Sequence, residues 1–112
     1  MLKLRTAQLR ALALEARERF VREVFVGLPD VFPGDDRVLD EAVMRELIGN
    51  GIDRAATYDI HASGDVTLFV YLLHELGEGF DERPWIRKLL TSKSLDPSER
   101  LSLIYQRLEA AQ

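Results

Sequence analysis

One segment of the chain is so apolar that the rest of the protein has to be arranged around it. Residues 63–79 read SGDVTLFVYLLHELGEG, and on a helix of about 100° per residue the large apolar side chains cover more than half of the circumference. They are Val66, Leu68, Phe69, Val70, Leu72, Leu73 and Leu76. A helix with so much apolar surface needs neighbours on most sides. We therefore predict that a helix over about residues 64–77 lies at the centre of the fold.

The remainder of the sequence is also typical of helices, because no stretch alternates apolar and polar residues at strand spacing. We predict further helices over about residues 6–26, 37–48, 52–58 and 84–91, and one that begins at Pro97. The segment GLPDVFPGDD, residues 27–36, is predicted to be a loop, and GNG, residues 49–51, to end the second helix. The predicted fold class is all-α, a single compact bundle of five to six helices in one domain over residues 1–112.

Residues that cap helices support these starting points. Ser63 is predicted to cap the central helix, and Asp35 or Asp36 to cap the second one. The strongest signal is LDPSERL, in which Asp96 and Glu99 have the spacing of a capping box. We expect the last helix to begin there.

Composition excludes several classes of protein. The chain of 112 residues has no cysteine, so disulfides and thiol chemistry are excluded. No run of about 18 apolar residues is present, so we expect no membrane span. Charged residues interrupt the leucine-rich N-terminus, whereas a signal peptide has an uninterrupted apolar core. We therefore expect a cytoplasmic protein.

The charges are distributed unevenly along the sequence. Residues 30–82 have thirteen acidic and three basic side chains, whereas residues 1–29 and 83–112 each have six basic and three acidic ones. One interpretation is that the basic ends complement the acidic middle within the fold. The other is that an acidic face meets a basic protein partner. Binding to nucleic acid is not expected, because it requires a concentrated basic patch.

The segment HELGEGFD, residues 74–81, resembles part of a zinc-protease helix, but it lacks the second histidine that the motif requires. His74 and Glu78 fall on one helix face, so they could form a pair of ligands, yet no third ligand is nearby. We predict no metal and no cofactor. The sequence also contains no nucleophile elbow and no phosphate-binding glycine loop, so we predict a protein that is not an enzyme.

Four side chains form a stripe on the predicted central helix, on the side away from the leucines. Thr67, Tyr71, His74 and Glu78 have the spacing i, i+4, i+7 and i+11. This stripe is either a solvated polar face or a strip that contacts a partner, since tyrosine often anchors interfaces.

Two arginines interrupt the apolar arc of the first helix. Arg10 and Arg17 are seven residues apart and fall inside that arc. Their aliphatic stems could pack while their guanidinium groups reach acids of the middle segment. Alternatively, this end of the helix projects and holds a partner. We include both arginines with the stripe as candidate partner-binding residues.

Several short motifs in the second half of the chain resemble those of a group of small, mostly uncharacterised bacterial proteins. The shared pattern is roughly G-I-x-R-A-x-x-Y-G-I, D-V near a helix start, L-G-x-x-F-D, P-W, and L-x-P-x-x-R-x-x-x-L-Y. The matching residues within about 45–108 are Gly51, Ile52, Arg54, Ala55, Tyr58, Ile60, Asp65, Val66, Leu76, Gly77, Phe80, Asp81, Pro84, Trp85, Leu95, Pro97 and Arg100. The chain departs from the pattern at Asp59, where the group has glycine, and at Ile104-Tyr105.

Members of that group tend to be encoded beside type VI secretion spike and effector genes. The resemblance implies a protein-binding accessory, an adaptor or chaperone, whose partner would be an effector, a spike component or a toxin. It implies no catalytic residues. The alternatives are an immunity protein that neutralises a cognate toxin and a small metal-dependent hydrolase. An apolar helix can serve either a core or a dimer seam, so homo-oligomerisation stays open.

Overall fold

A computed structural model describes the backbone of residues 6–111 and the side chains of residues 13–111. This part of the chain contains no strand and forms five α-helices: α1 (Thr6–Val31), α2 (Glu41–Ala56), α3 (Ser63–Leu76), α4 (Pro84–Leu90) and α5 (Pro97–Ala110). Short 3₁₀ helices cover Asp36–Leu39 and Phe80–Glu82. The prediction of an all-α fold is confirmed. Within the described residues, no helix is long and apolar enough to cross a membrane.

The contacts of the chain group it into two units, residues 1–48 and 49–112. The division falls inside α2, between Ile48 and Gly49. The prediction of one domain over residues 1–112 stays a prediction.

Helix α1 is longer than the sequence indicated, because it continues through Pro29 to Val31. The prediction of a loop that begins at residue 27 was therefore wrong at its start. Proline removes one backbone donor, but here it lies in the last turns of the helix. The ladder resumes after it, with the Phe32 amide donating to the Leu28 carbonyl at 2.9 Å. Leu28 is fully buried, so packing holds this turn in place.

The first unit buries one stripe of α1 and the start of α2. Its core residues are Val21, Val24, Leu28, Val38, Met44 and Ile48. The turn before α2 is shaped by aspartates: Asp35 accepts from the Arg37 amide at 3.0 Å, and Asp40 from the Val43 amide at 3.2 Å. Asp35 thus caps the 3₁₀ helix, not α2 as predicted.

Helix α2 passes uninterrupted through Gly49-Asn50-Gly51, so the predictions of an end there and of a separate helix over 52–58 were wrong. Gly51 has a packing role instead. A Cβ atom at this position would lie 2.6 Å from the Cγ2 atom of Val70. Glycine therefore allows α3 to approach the α2 backbone closely at this point.

Helix α2 ends in a left-handed turn at Asp59, which has a φ of 61°. The Ile60 amide donates to the Ala55 carbonyl at 3.1 Å and the Asp59 amide to the Ala56 carbonyl at 3.0 Å. This pair of bonds is a Schellman motif, in which glycine is the usual left-handed residue. Asp59 thus adopts a conformation that favours glycine.

Helix α3 contributes more buried side chains than any other helix of the second unit, in line with its apolar sequence. They are Val66, Phe69, Val70, Leu72, Leu73 and His74. The predicted cap was wrong by one residue: Ala62 is the cap, without a side-chain bond, and Ser63 already belongs to the helix. Gly77 ends α3 with a φ of 88°, a conformation that glycine adopts readily because it has no Cβ atom.

Helix α5 begins with the predicted capping box. Asp96 accepts from the Glu99 amide at 2.9 Å, and the Glu99 side chain accepts from the Asp96 amide at 3.5 Å. Two side chains connect α5 to α3: Ser98 donates to Asp65 at 2.8 Å and Tyr105 to the Leu68 carbonyl at 3.0 Å. These bonds hold α5 along α3, with Leu101 and Ile104 fully buried.

We expect Gly51→Ala to lower the free energy of unfolding by about 1–3 kcal/mol, because Val70 is fully buried and has no room to move away from the added methyl group. Gly27→Ala is the matched control. Its Cβ atom would meet nothing within 4 Å, so the better helix propensity of alanine should stabilise α1 by up to about 1 kcal/mol. Urea unfolding followed by circular dichroism measures both. Equal effects of the two variants would contradict the close approach.

Candidate functional site

A polar cluster of the second unit is centred on Asp81, a carboxylate that is only 2% exposed. Its Oδ2 atom accepts from Arg54 Nε at 2.7 Å and from the Tyr58 hydroxyl at 2.6 Å. Arg54 and Tyr58 are one helical turn apart at the end of α2, and Asp81 lies in the 3₁₀ helix before α4. The cluster therefore joins two segments that are 27 residues apart in sequence.

The two bonds decide the ionisation of Asp81. Burial by itself would raise the pKa of this carboxyl, but the hydrogen bonds from Tyr58 and Arg54 outweigh it and hold the pKa below its usual value. Burial, with the bond to Asp81, raises the pKa of Tyr58 to about 12. At neutral pH the cluster is therefore a carboxylate bonded to a protonated phenol and a guanidinium, with no group ready to exchange a proton.

A surface groove of about 470 Å³ opens beside this cluster. It is lined by Asn50, Arg54, Leu73, Glu78, Gly79, Asp81 and Glu82. Arg54 contacts Asp81 with its Nε atom and reaches Glu82 with Nη2 at 3.4 Å. Three carboxylates against one guanidinium make this groove acidic, and Glu78 and Glu82 are exposed on it.

The predicted stripe on α3 does not form one accessible face. His74 is only 5% exposed, which corrects its assignment to a polar side away from the leucines. The apolar pattern of α3 did not predict which of its side chains are buried. His74 is enclosed, whereas Leu68 is partly exposed. Thr67 and Tyr71 are half-buried, and Thr67 donates to the Ser63 carbonyl at 2.7 Å. Of the four residues of the stripe, only Glu78 is exposed, and it lies after the end of the helix.

The described residues contain no group of three or more His, Cys, Asp or Glu side chains that could hold a metal ion. His74 and Glu78, the pair that resembled a zinc-protease motif, differ in burial: the imidazole is enclosed and the carboxylate is at the surface.

Of the two arginines predicted to bind a partner, Arg17 is half-buried on α1. The side chain of Arg10 lies outside the described residues.

Helix α1 has an apolar stripe that is buried in one part of the helix and exposed in another. Leu14, Val21 and Leu28 have heptad spacing and therefore lie on one side of the helix. Their exposed fractions fall from 63% at Leu14 to 5% at Val21 and 0% at Leu28. Leu14 also lines a shallow depression with the charged side chains Glu15, Glu18, Arg19 and Arg22.

Sequence reasoning did not identify the cluster of Arg54, Tyr58 and Asp81 as a unit. The three residues were present only as members of the resembling motifs R-A-x-x-Y and F-D. The available signal was an arginine and a tyrosine at i and i+4 on a helix, and three acids, Glu78, Asp81 and Glu82, after the apolar helix. No spacing rule connects these two segments, since the turn geometry that brings them together is tertiary.

We expect Asp81→Asn to lower the free energy of unfolding at pH 7 by about 1–3 kcal/mol, because hydrogen bonds to a charged acceptor are lost. The folded-state pKa of Asp81 is lowered, so its charge stabilises the fold above the unfolded pKa of about 3.9. The difference in the free energy of unfolding between the native chain and the variant should be constant from pH 7 to 5. It should disappear as the pH falls through the folded-state pKa of Asp81.

Chemical unfolding at a series of pH values measures this difference, and Glu82→Gln is the control. Glu82 contacts the same arginine but is exposed, so its loss should change stability by less than about 1 kcal/mol. If the difference in the free energy of unfolding between the native chain and Asp81→Asn stays unchanged down to pH 2, the conclusion that Asp81 is charged in the fold is contradicted.

No protein-family model matches this chain, and neither a curated protein nor a solved structure is significantly similar to it.

Proposed function

We propose that this chain is a protein-binding accessory without catalytic activity, an adaptor or chaperone of a bacterial secretion or effector system. The genetic setting comes from the resemblance of its motifs to small proteins encoded beside type VI secretion genes. The binding role is supported by the structure of α1. The partner would be an effector or spike component that supplies an apolar helix face.

The observation that carries the proposal is that the apolar stripe of α1 becomes exposed to solvent toward the start of the helix. Leu28 and Val21 are buried, but Leu14, two turns before Val21, is 63% exposed on the same side of the helix. An apolar stripe that continues beyond the buried core is available to pack against a helix of a second protein.

The surroundings of Leu14 fit an interface. The depression beside it is lined by two glutamates and two arginines, so an apolar centre has a charged rim of both signs. The other strongly exposed aliphatic side chains also belong to the first unit: Val26, Leu39 and Val43 are each more than half exposed. The described side chains of the second unit include only Leu68 and Leu103 among the exposed large apolar ones, both near 40%.

We expect Leu14→Lys to abolish capture of the partner in a tagged pull-down from the native bacterium. Because Leu14 is exposed, the substitution should change the free energy of unfolding by less than about 0.5 kcal/mol. Leu103→Lys is the matched control, since it replaces an exposed leucine of the second unit. Retention of the partner by Leu14→Lys, or equal loss with Leu103→Lys, would argue against α1 as the binding surface.

The acidic groove favours a second candidate, an immunity protein for a toxin with a basic active site. Co-expression with the toxic neighbouring gene tests it: the native chain should rescue growth, and Glu78→Lys combined with Glu82→Lys should not. Glu75→Lys, an exposed glutamate that does not line the groove, is the control. Rescue by the double variant would eliminate the groove as the inhibitory surface.

A further inference from the structure

Arg100, in the first turns of α5, is a largely buried cation, with an exposed fraction of 9%. Its Nε–H is shared by the carbonyls of Ser92 at 2.9 Å and Leu95 at 3.0 Å. One Nη1–H donates to the Tyr58 carbonyl at 3.1 Å. The guanidinium thus connects the loop before α5 to the end of α2.

These carbonyls accept hydrogen bonds from only two of the N–H groups of the guanidinium, the Nε–H and one Nη1–H. An arginine side chain has five N–H donors, and the Nη2 donors of Arg100 have no acceptor among residues 13–111. No carboxylate of that range lies within ion-pair distance of it either. Every fully enclosed side-chain nitrogen or oxygen of the described residues has a partner, so Nη2 reaches the surface.

Arg100 also lines a groove of about 450 Å³, which shares no lining residue with the acidic groove. It is lined by Thr57, Tyr58, Asp59, Leu90, Thr91, Lys93 and Arg100. Lys93 is exposed and adds a second positive charge, while Asp59 is the one carboxylate among these lining residues. The Asp59 carboxylate accepts from His61 at 3.0 Å and is 92% exposed. The lining has a net charge of +1, from Arg100 and Lys93 against Asp59.

We propose that this groove binds an oxyanion, a carboxylate or phosphate group, between Arg100 and Lys93. Burial of the Arg100 charge is costly. The Asp96 carboxylate interacts with this charge electrostatically but forms no ion pair with it, and an anion that contacts the remaining N–H donors would offset that cost. The planar guanidinium is fixed by three carbonyls, so its remaining donors are preorganised, a geometry that suits the two oxygens of one anionic group. Lys93 supplies a second, mobile donor at the rim. This site is independent of the α1 surface proposed for the protein partner.

The test is an NMR titration of the full chain with sodium phosphate and, separately, with sodium acetate. Ionic strength is kept constant with sodium chloride, and the Arg100 Nε–H signal and the amides of residues 57–59 and 91–93 are followed. We expect saturable shifts confined to these signals. The tighter of the two anions identifies the natural ligand as one that carries phosphate or one that carries carboxylate. A linear, non-saturating response to both anions, the same as that to chloride, would overturn the proposal.

Three exposed substitutions that spare Arg100 and its structural bonds test the assignment further. Lys93→Ala should weaken binding about two- to fivefold, the effect of one exposed charge pair. Asp59→Asn removes the opposing charge but suits the left-handed turn, so it should strengthen binding by a similar factor. Lys88→Ala, a lysine of α4 that does not line the groove, should have no effect. Equal responses of Lys93→Ala and Lys88→Ala would show general charge attraction and overturn the site.

Discussion

The arrangement of the second unit depends on one buried carboxylate. Asp81 is withdrawn from water, and a carboxylate in that position is tolerated only when its charge is matched by donors. Arg54, in the last turn of α2, and Tyr58, in the turn that follows it, supply them. The end of α2, and the turn that follows Gly77 and leads into α4, are therefore fixed relative to each other by polar bonds at short distance. Apolar packing alone would not specify this geometry, because it is not directional.

Close packing of α2 and α3 completes the same frame. Gly51 lies one turn before Arg54 and lets the Val70 side chain approach the α2 backbone. Phe69, next to Val70, contacts the Phe80 ring with centroids 5.0 Å apart and the Tyr58 ring at 6.2 Å. The aromatic residues thus form an apolar layer beside the Asp81 cluster that encloses the carboxylate, while the hydrogen bonds from Tyr58 and Arg54 keep it ionised. Arg100, bonded to the Tyr58 carbonyl, ties α5 to the same turn.

Local signals in the sequence predicted much of the fold. The extent of α3 and the capping box at Asp96 were correct, because both depend on residues within one or two turns. The predictions failed where tertiary packing overrides local preference. Gly51 allows a close approach of α3 and does not end α2. Pro29 does not end α1, because the buried Leu28 side chain holds that turn in place. The stripe on α3 failed for the same reason, since a single helix pattern does not reveal that His74 is enclosed. The Asp81 cluster could not be assembled from spacing, because its members lie on separate segments.

The most direct test of this account is the pKa of the Asp81 carboxyl in the folded protein, measured by NMR titration of its side-chain carbon. The account predicts a value below the ordinary 3.8, because two charge-stabilising hydrogen bonds outweigh burial, and Tyr58→Phe should raise it. A value at or above 3.8 would contradict it. Asp81 would then be a buried acid without effective partners, and the link between α2 and the segment before α4 would need another cause.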